Sequence, residues 1–165
     1  MSIGLFIGRF QPFHEGHLHA IQDIIKECDQ VIIGIGSSQH SKTSTNPFSA
    51  KERKEMIIST LKNKNIKNYS IFLIPDIEND NEWVNHVKKI IPQFDIVFTG
   101  SPLSKKLFTE KGYFVKPIAR FKNISASEIR LRILKDLEWD LMVSNQVKEI
   151  FEQIGAKERI KNCSS

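Results

Sequence analysis

The stretch Ile3-Gly4-Leu5-Phe6-Ile7-Gly8-Arg9-Phe10-Gln11-Pro12-Phe13-His14-Glu15-Gly16-His17 decides the fold. Ile3 to Gly8 is a short apolar run without polar alternation, which reads as a strand buried on both faces. Beyond His17, the residues Leu18, Ile21, Ile24 and Ile25 recur at helical spacing up to Cys28. A buried strand that turns directly into an amphipathic helix is the first half of a βαβ unit. The rest of the chain repeats the alternation. Val31 to Gly36 is a second buried strand, its β-branched residues favouring strand over helix. Ser70–Pro75 and Asp95–Thr99 are further strands, and Tyr113–Val115 a weaker one.

Helices are predicted between them. Ser49 and Glu52 form a capping box that opens a helix through about Lys62. Glu82–Ile91 carries Trp83, Val87, Ile90 and Ile91 on one face, and Leu103–Lys111 ends at Gly112, a good C-cap. Ser125 opens a helix to about Leu137, and Asn145–Ile154 is expected to be the last; the polar tail from Lys157 is expected to fray or pack on a neighbour. Buried strands alternating with helices predict an α/β, doubly wound, Rossmann-like parallel sheet with helices on both faces. Such sheets bind ligands beyond the carboxyl ends of their strands, where the winding reverses.

The 165 residues suit one domain, residues 1–165. With 40% hydrophobic and 26% charged residues, the composition is globular, which argues against disorder. No apolar run approaches a membrane span, and the N-terminus lacks a basic region followed by a long apolar stretch, so neither membrane partner nor signal peptide is expected. The two cysteines, Cys28 and Cys163, stand alone, which disfavours a disulfide scaffold or a cysteine zinc site and fits a cytoplasmic location. The net charge of +5 points to an anionic partner, be it nucleic acid, a membrane surface or a small phosphorylated molecule. No aromatic-plus-basic RNA motif or zinc-finger spacing supports nucleic acid.

Placement of charge narrows the choice. Gly8 permits a tight exit from the first strand, and Gly16 allows close approach of backbone to a ligand. His14 and His17 stand three apart at a helix start, so both can face one spot, and the helix N-terminus adds N–H groups and partial positive charge. Arg9 adds a fixed cation. A metal site is the poorer reading, since this spacing has no third ligand nearby. A GxGxxG fingerprint is missing; Gly34-Ile35-Gly36 reads as close packing. Ser125 and Glu128 read as a capping box, which is compatible with a phosphate cradle completed by Arg130.

These residues resemble a known family. Gly8 to His17, GRFQPFHEGH, contains the HxGH motif of the nucleotidyltransferases and in its longer form resembles the archaeal nicotinamide-nucleotide (NMN) adenylyltransferases. Ile124 to Arg130, ISASEIR, resembles the ISxTxxR block, with Ser127 where Thr is common. Gly34–Gln39, Asn46–Arg53, Asp76–Trp83 and Thr99–Leu103 resemble further family segments, so the likeness runs along nearly the whole chain. It implies adenylyl transfer from ATP to NMN, forming NAD⁺ and pyrophosphate. By the same resemblance Arg9, His14, His17 and Arg130 would act on the triphosphate. Gly8, Phe10, Gly16, Gly100, Ser101, Ile124, Ser125 and Ser127 would bind ATP. Asp76, Trp83, Ser37 and Phe48 would hold the mononucleotide. Mg²⁺ would ride on the substrate phosphates, with no dedicated protein cage. A homo-oligomer, hexameric in the family, would be the assembly. The sequence departs at Asp80, where Asn is common, at Thr45, where some members carry Arg, and at Leu131, where Arg often follows the motif. Another HxGH transferase or a non-catalytic nucleotide sensor is the alternative.

Overall fold

The computed structural model describes residues 1–164. Its contacts divide them into two compact units. The first comprises Met1–Gly8, Ala20–Ser38 and Asn68–Ala119. The second comprises Arg9–His19, Gln39–Lys67 and the described residues from Arg120 onward.

The first unit contains the sheet. Its strands are β1 (Ile3–Gly8), β2 (Gln30–Ile35), β3 (Tyr69–Leu73), β4 (Ile96–Thr99) and β5 (Phe114–Pro117). All pairs are parallel, in the order β3-β2-β1-β4-β5. The winding therefore reverses between β1 and β4, which sets the carboxyl ends of these two strands at the switch point. Leu5, Ile32 and Val97 face α3 (Trp83–Ile90) and α4 (Pro102–Glu110), whose Val84, Val87, Leu107 and Phe108 join them in one core. The opposite face is covered by the part of α1 (Glu15–Glu27) that lies in this unit. That helix sits so close that a Cβ at Gly4 would fall 2.9 Å from Ile24 Cγ2. Gly34 is a packing residue too, since a Cβ there would fall 2.6 Å from Ile74 Cδ1. The doubly wound parallel sheet expected from the sequence is thus present.

The second unit is helical: the start of α1, then α2 (Ala50–Asn63), α5 (Ala126–Leu134), α6 (Asn145–Ile154) and α7 (Ala156–Cys163). The Ser49/Glu52 capping box at α2 is complete. Three expectations need correction. Asn145–Ile154 is not the last helix, and of the two readings of the tail fraying is the one that fails: α7 buries Ala156 and Ile160, and Arg159 forms a two-oxygen ion pair with Glu52 at 2.6 and 2.8 Å. Only two apolar residues on that helix mark its buried face, too weak a period to read. Helix α5 also stops at Leu134 rather than Leu137. Asp136 takes a left-handed φ of 53°, while Leu137 N–H bonds Arg132 O and Asp136 N–H bonds Ile133 O, a Schellman end in which Leu137 is the apolar residue beyond the helix.

Candidate functional site

The residues of HxGH and of ISASEIR meet in the second unit. His14 Nδ1 accepts the main-chain N–H of His17, and His17 Nδ1 accepts that of His14, each at 3.2 Å. This is a capping box made of two histidines, which explains the spacing of three. The rings stack with centroids 3.6 Å apart and planes at 17°. With Nδ1 accepting, each neutral ring carries its proton on Nε2 and can donate from there. Burial lowers the His14 pKa to about 4, and burial together with the His14 charge lowers that of His17. Both are therefore neutral donors at pH 7. Gly16 has a packing reason that the sequence did not show: a Cβ there would fall 2.9 Å from His14 Cε1, so its missing side chain is space for the imidazole.

The turn before the helix is held from several sides. Its left-handed residue is Phe10, at φ 55°, rather than Gly8. A non-glycine residue there costs about 1–2 kcal/mol and persists only where its surroundings enforce it. Phe10 is itself buried, with its ring edge-on to His17 at 4.7 Å. On one side Arg53 Nη1 donates to Arg9 O at 2.8 Å. On the other Arg130 Nη1 donates to Gln11 O at 2.7 Å. The buried Gln11 side chain forms two 2.9 Å bonds with the main chain of Phe48, one from Nε2 to its O and one from its N–H to Oε1. Gln11 and Arg53 were not among the expected site residues. Phe48 was, and its ring is fully buried against Phe151, so its placement gives it a packing and anchoring role.

Arg130 is buried, and its pKa is lowered by burial and by the charge of Arg9. A like charge nearby disfavours the ionised form of a buried guanidinium, and an anion would offset both effects. Helix α5 begins at the same motif: Ser125 Oγ accepts Glu128 N–H, while Ser127 is exposed in the first turn. The Glu128 carboxylate pairs with Arg132 Nε at 2.8 Å, which makes Ser125 the capping residue and leaves Glu128 to an ion pair. Ile124 O lies 3.6 Å from where a Cβ of Gly16 would be, so the two motifs are neighbours.

The first unit holds the remaining expected residues. Gly8 O accepts the N–H of Gly36. Ser37, left-handed at φ 48° and buried, donates from Oγ to Asp76 Oδ2 at 2.8 Å. Trp83 is half-buried against the core, with His86 at 5.7 Å between centroids, and His86 Nε2 is 2.8 Å from Pro75 O. Asp80 is exposed in a 3₁₀ turn capped by Asn79. Beyond β4, a Cβ at Gly100 would meet nothing within 4 Å, and Ser101 caps α4 by accepting Ser104 N–H. A cleft of about 550 Å³, unmarked by any motif, lies along Ala20, Ile24, Phe98, Pro117, Ile118 and Ala119. It is bordered by the ion pair of Lys116 with Glu27.

No helix of the described residues is long and apolar enough to cross a membrane, and they gather no group of three or more His, Cys, Asp or Glu that could hold a metal. The donors of the second unit are imidazole N–H and guanidinium groups, which suits anionic oxygens. A divalent cation would fit there as a companion of phosphate, held by phosphate oxygens and water.

The lowered histidine pKa has a measurable effect on stability. Between pH 6.5 and about 4 the unfolded chain binds the His14 proton and the folded chain does not. Stability is therefore full above pH 6.5 and lost as pH falls toward 4, by roughly 3 kcal/mol for this group. Urea unfolding across that range should show the loss in the wild type, and His14→Asn should reduce it, leaving the part that His17 contributes. An equal slope in both would refute the assignment.

The cytidylyltransferase-like family model matches residues 5–132. The nicotinamide-nucleotide adenylyltransferase of Thermococcus sibiricus is 47% identical over 162 residues, covering 96% of this chain and 87% of that protein. That of Thermoplasma volcanium is 42% identical, covering 96% and 90%. Among solved structures, a bifunctional NMN adenylyltransferase/ADP ribose pyrophosphatase from Francisella tularensis, complexed with AMP and a manganese ion, superposes with a TM-score of 0.78 at 26% identity. The match covers 98% of this chain and 52% of the bifunctional one. With a family model over most of its length and relatives above 40% identity nearly end to end, the chain belongs to the cytidylyltransferase-like nucleotidyltransferases, among the nicotinamide-nucleotide adenylyltransferases.

Proposed function

We propose that the chain is an NMN adenylyltransferase, one functional domain that transfers the adenylyl group of ATP to NMN. An oxygen of the NMN 5′-phosphate attacks the α-phosphorus of ATP, the bond from that phosphorus to the bridging β-phosphate oxygen breaks, and pyrophosphate leaves as NAD⁺ forms. The attacking phosphate is ionised near neutral pH, so no side-chain base is needed. Rate enhancement then rests on positioning and on donors aimed at developing charge. The observation that carries this reading is the stacked His14/His17 box set beside the ISASEIR motif, with the Arg130 guanidinium tied to Gln11 O and subject to the charge of Arg9. In this reading Arg9, His14, His17 and Arg130 bind the triphosphate and take the charge that accumulates on pyrophosphate. Ser125, Ser127 and the start of α5 are assigned to the same phosphates, and Gly100 and Ser101 to the adenosine end of ATP.

Asp76, oriented by Ser37, is assigned to the carboxamide, and Trp83 to the cationic pyridinium face. Mg²⁺ enters with the nucleotide. Homo-oligomeric assembly, hexameric by resemblance, and a cytoplasmic location belong to the same proposal.

The test is an assay of ATP with NMN, nicotinic acid mononucleotide and other phosphorylated acceptors, following dinucleotide and pyrophosphate together. Equal amounts of NAD⁺ and pyrophosphate with NMN are expected; tight nucleotide binding without pyrophosphate release would identify a sensor instead. Trp83→Ala should raise KM for NMN about tenfold or more, on the scale of a lost cation–π stack, with KM for ATP within about twofold. A change confined to ATP would move the pocket elsewhere.

A further inference from the structure

We infer that Arg53 is a positioning residue for the triphosphate site, acting through the main chain of Arg9; this rests on the adenylyltransferase reading. Its side chain is fully buried. Its guanidinium donates to three main-chain carbonyls: Nη1 to Arg9 O at 2.8 Å, Nε to Ser49 O at 3.2 Å, and Nη2 to His40 O at 3.5 Å. These lie on the phosphate-facing turn, at the cap of α2 and in the loop before it.

The contact with Arg9 O matters most because the next residue, Phe10, is left-handed. Both carbonyls flanking Phe10 are held by buried guanidiniums, Arg9 O by Arg53 and Gln11 O by Arg130. Arg130 also has its charge at the site. These three bonds of Arg53 are to main chain, and through the one to Arg9 O its effect on a ligand passes to the residue it holds. Released at Arg9 O, the turn can relax toward the ordinary region of φ, and the Arg9 side chain leaves with it. A lysine could not replace the fork, since one ammonium cannot span three carbonyls set around a plane.

The experiment is a double-mutant cycle on Arg53→Lys and Arg9→Ala, in the NAD⁺-forming assay. Arg53→Lys is expected to lower kcat/KM for ATP about tenfold, with KM for NMN within about twofold. In the Arg9→Ala background the same change should cost less than about twofold, because the residue it positions is gone. A full tenfold further loss in that background, equal losses toward both substrates, or wild-type kinetics of Arg53→Lys would each overturn the inference. Arg53→Gln is measured in parallel. If neither variant folds where the wild type does, Arg53 determines the fold and the inference also fails. Absence of NAD⁺ formation by the wild type would instead overturn the adenylyltransferase reading.

Discussion

Arg130→Ala is expected to lower turnover by roughly two to three orders of magnitude, the usual loss when a donor aimed at developing charge is removed. The reasoning starts from how the guanidinium is divided. Nη1 is engaged by Gln11 O at 2.7 Å, which fixes the plane of the group. Burial and the Arg9 charge both disfavour the ionised state of Arg130, and a bound anion would offset that. Charge on the leaving pyrophosphate offsets it more than the ground-state triphosphate does, so kcat should fall more than KM for ATP rises. Arg130→Lys should recover little, because one ammonium cannot hold Gln11 O and also reach a phosphate in two directions. The alanine variant should remain folded. Leaving Gln11 O without its donor costs about 1–3 kcal/mol, offset in part by removing the repulsion with Arg9. Turnover near that of the wild type would remove Arg130 from the site.

The contrast between Arg130 and Arg53 explains what was readable in the sequence. Arg130 sits in a local motif, three residues after Ser127, at the start of a helix with a visible cap. Strands β1 and β2 were legible because a buried strand leaves a continuous apolar run, and the histidine pair because its spacing belongs to one helical turn. Arg53 and Gln11 lie inside family-like stretches, but nothing local shows what they hold. Their partners are main-chain atoms far along the chain, as with Arg53 and Arg9, 44 positions apart, or Gln11 and Phe48, 37 apart. A main-chain carbonyl has no residue type to recognise. Sequence also found residues without all of their structural reasons. Gly8 and Gly16 were read for flexibility and ligand approach, but the left-handed turn belongs to Phe10 and the empty Cβ position of Gly16 belongs to the His14 ring. At Gly16 the packing that demands the small residue comes from the His14 ring, whose direction is set only in three dimensions.

His17→Asn and His17→Gln should separate the two tasks of this residue. Nδ1 of His17 accepts the His14 N–H and closes the capping box; the proposed function assigns the outer nitrogen, Nε2, to the phosphates. Asparagine can place its oxygen where Nδ1 stood, keeping the box and losing the outer donor. Glutamine can place its amide nitrogen near the Nε2 position, keeping a donor and losing the box. If the outer donor carries the chemistry, His17→Asn lowers turnover by roughly 10²–10³ with little change in melting temperature. Glutamine should then retain more activity while melting lower, by an amount near the ~1 kcal/mol of a lost cap. The reverse ranking would mean that His17 serves by shaping the helix start alone. Acid pH gives an independent check. His17 is held neutral by burial and by His14, so an imidazolium is not what meets the nucleotide in the free protein. The kcat/KM for ATP should therefore show no histidine limb near pH 6.5, beyond the titration of the substrate phosphates themselves. A loss of activity above pH 6.5 that disappears in His17→Asn would show that the charged ring is the working form.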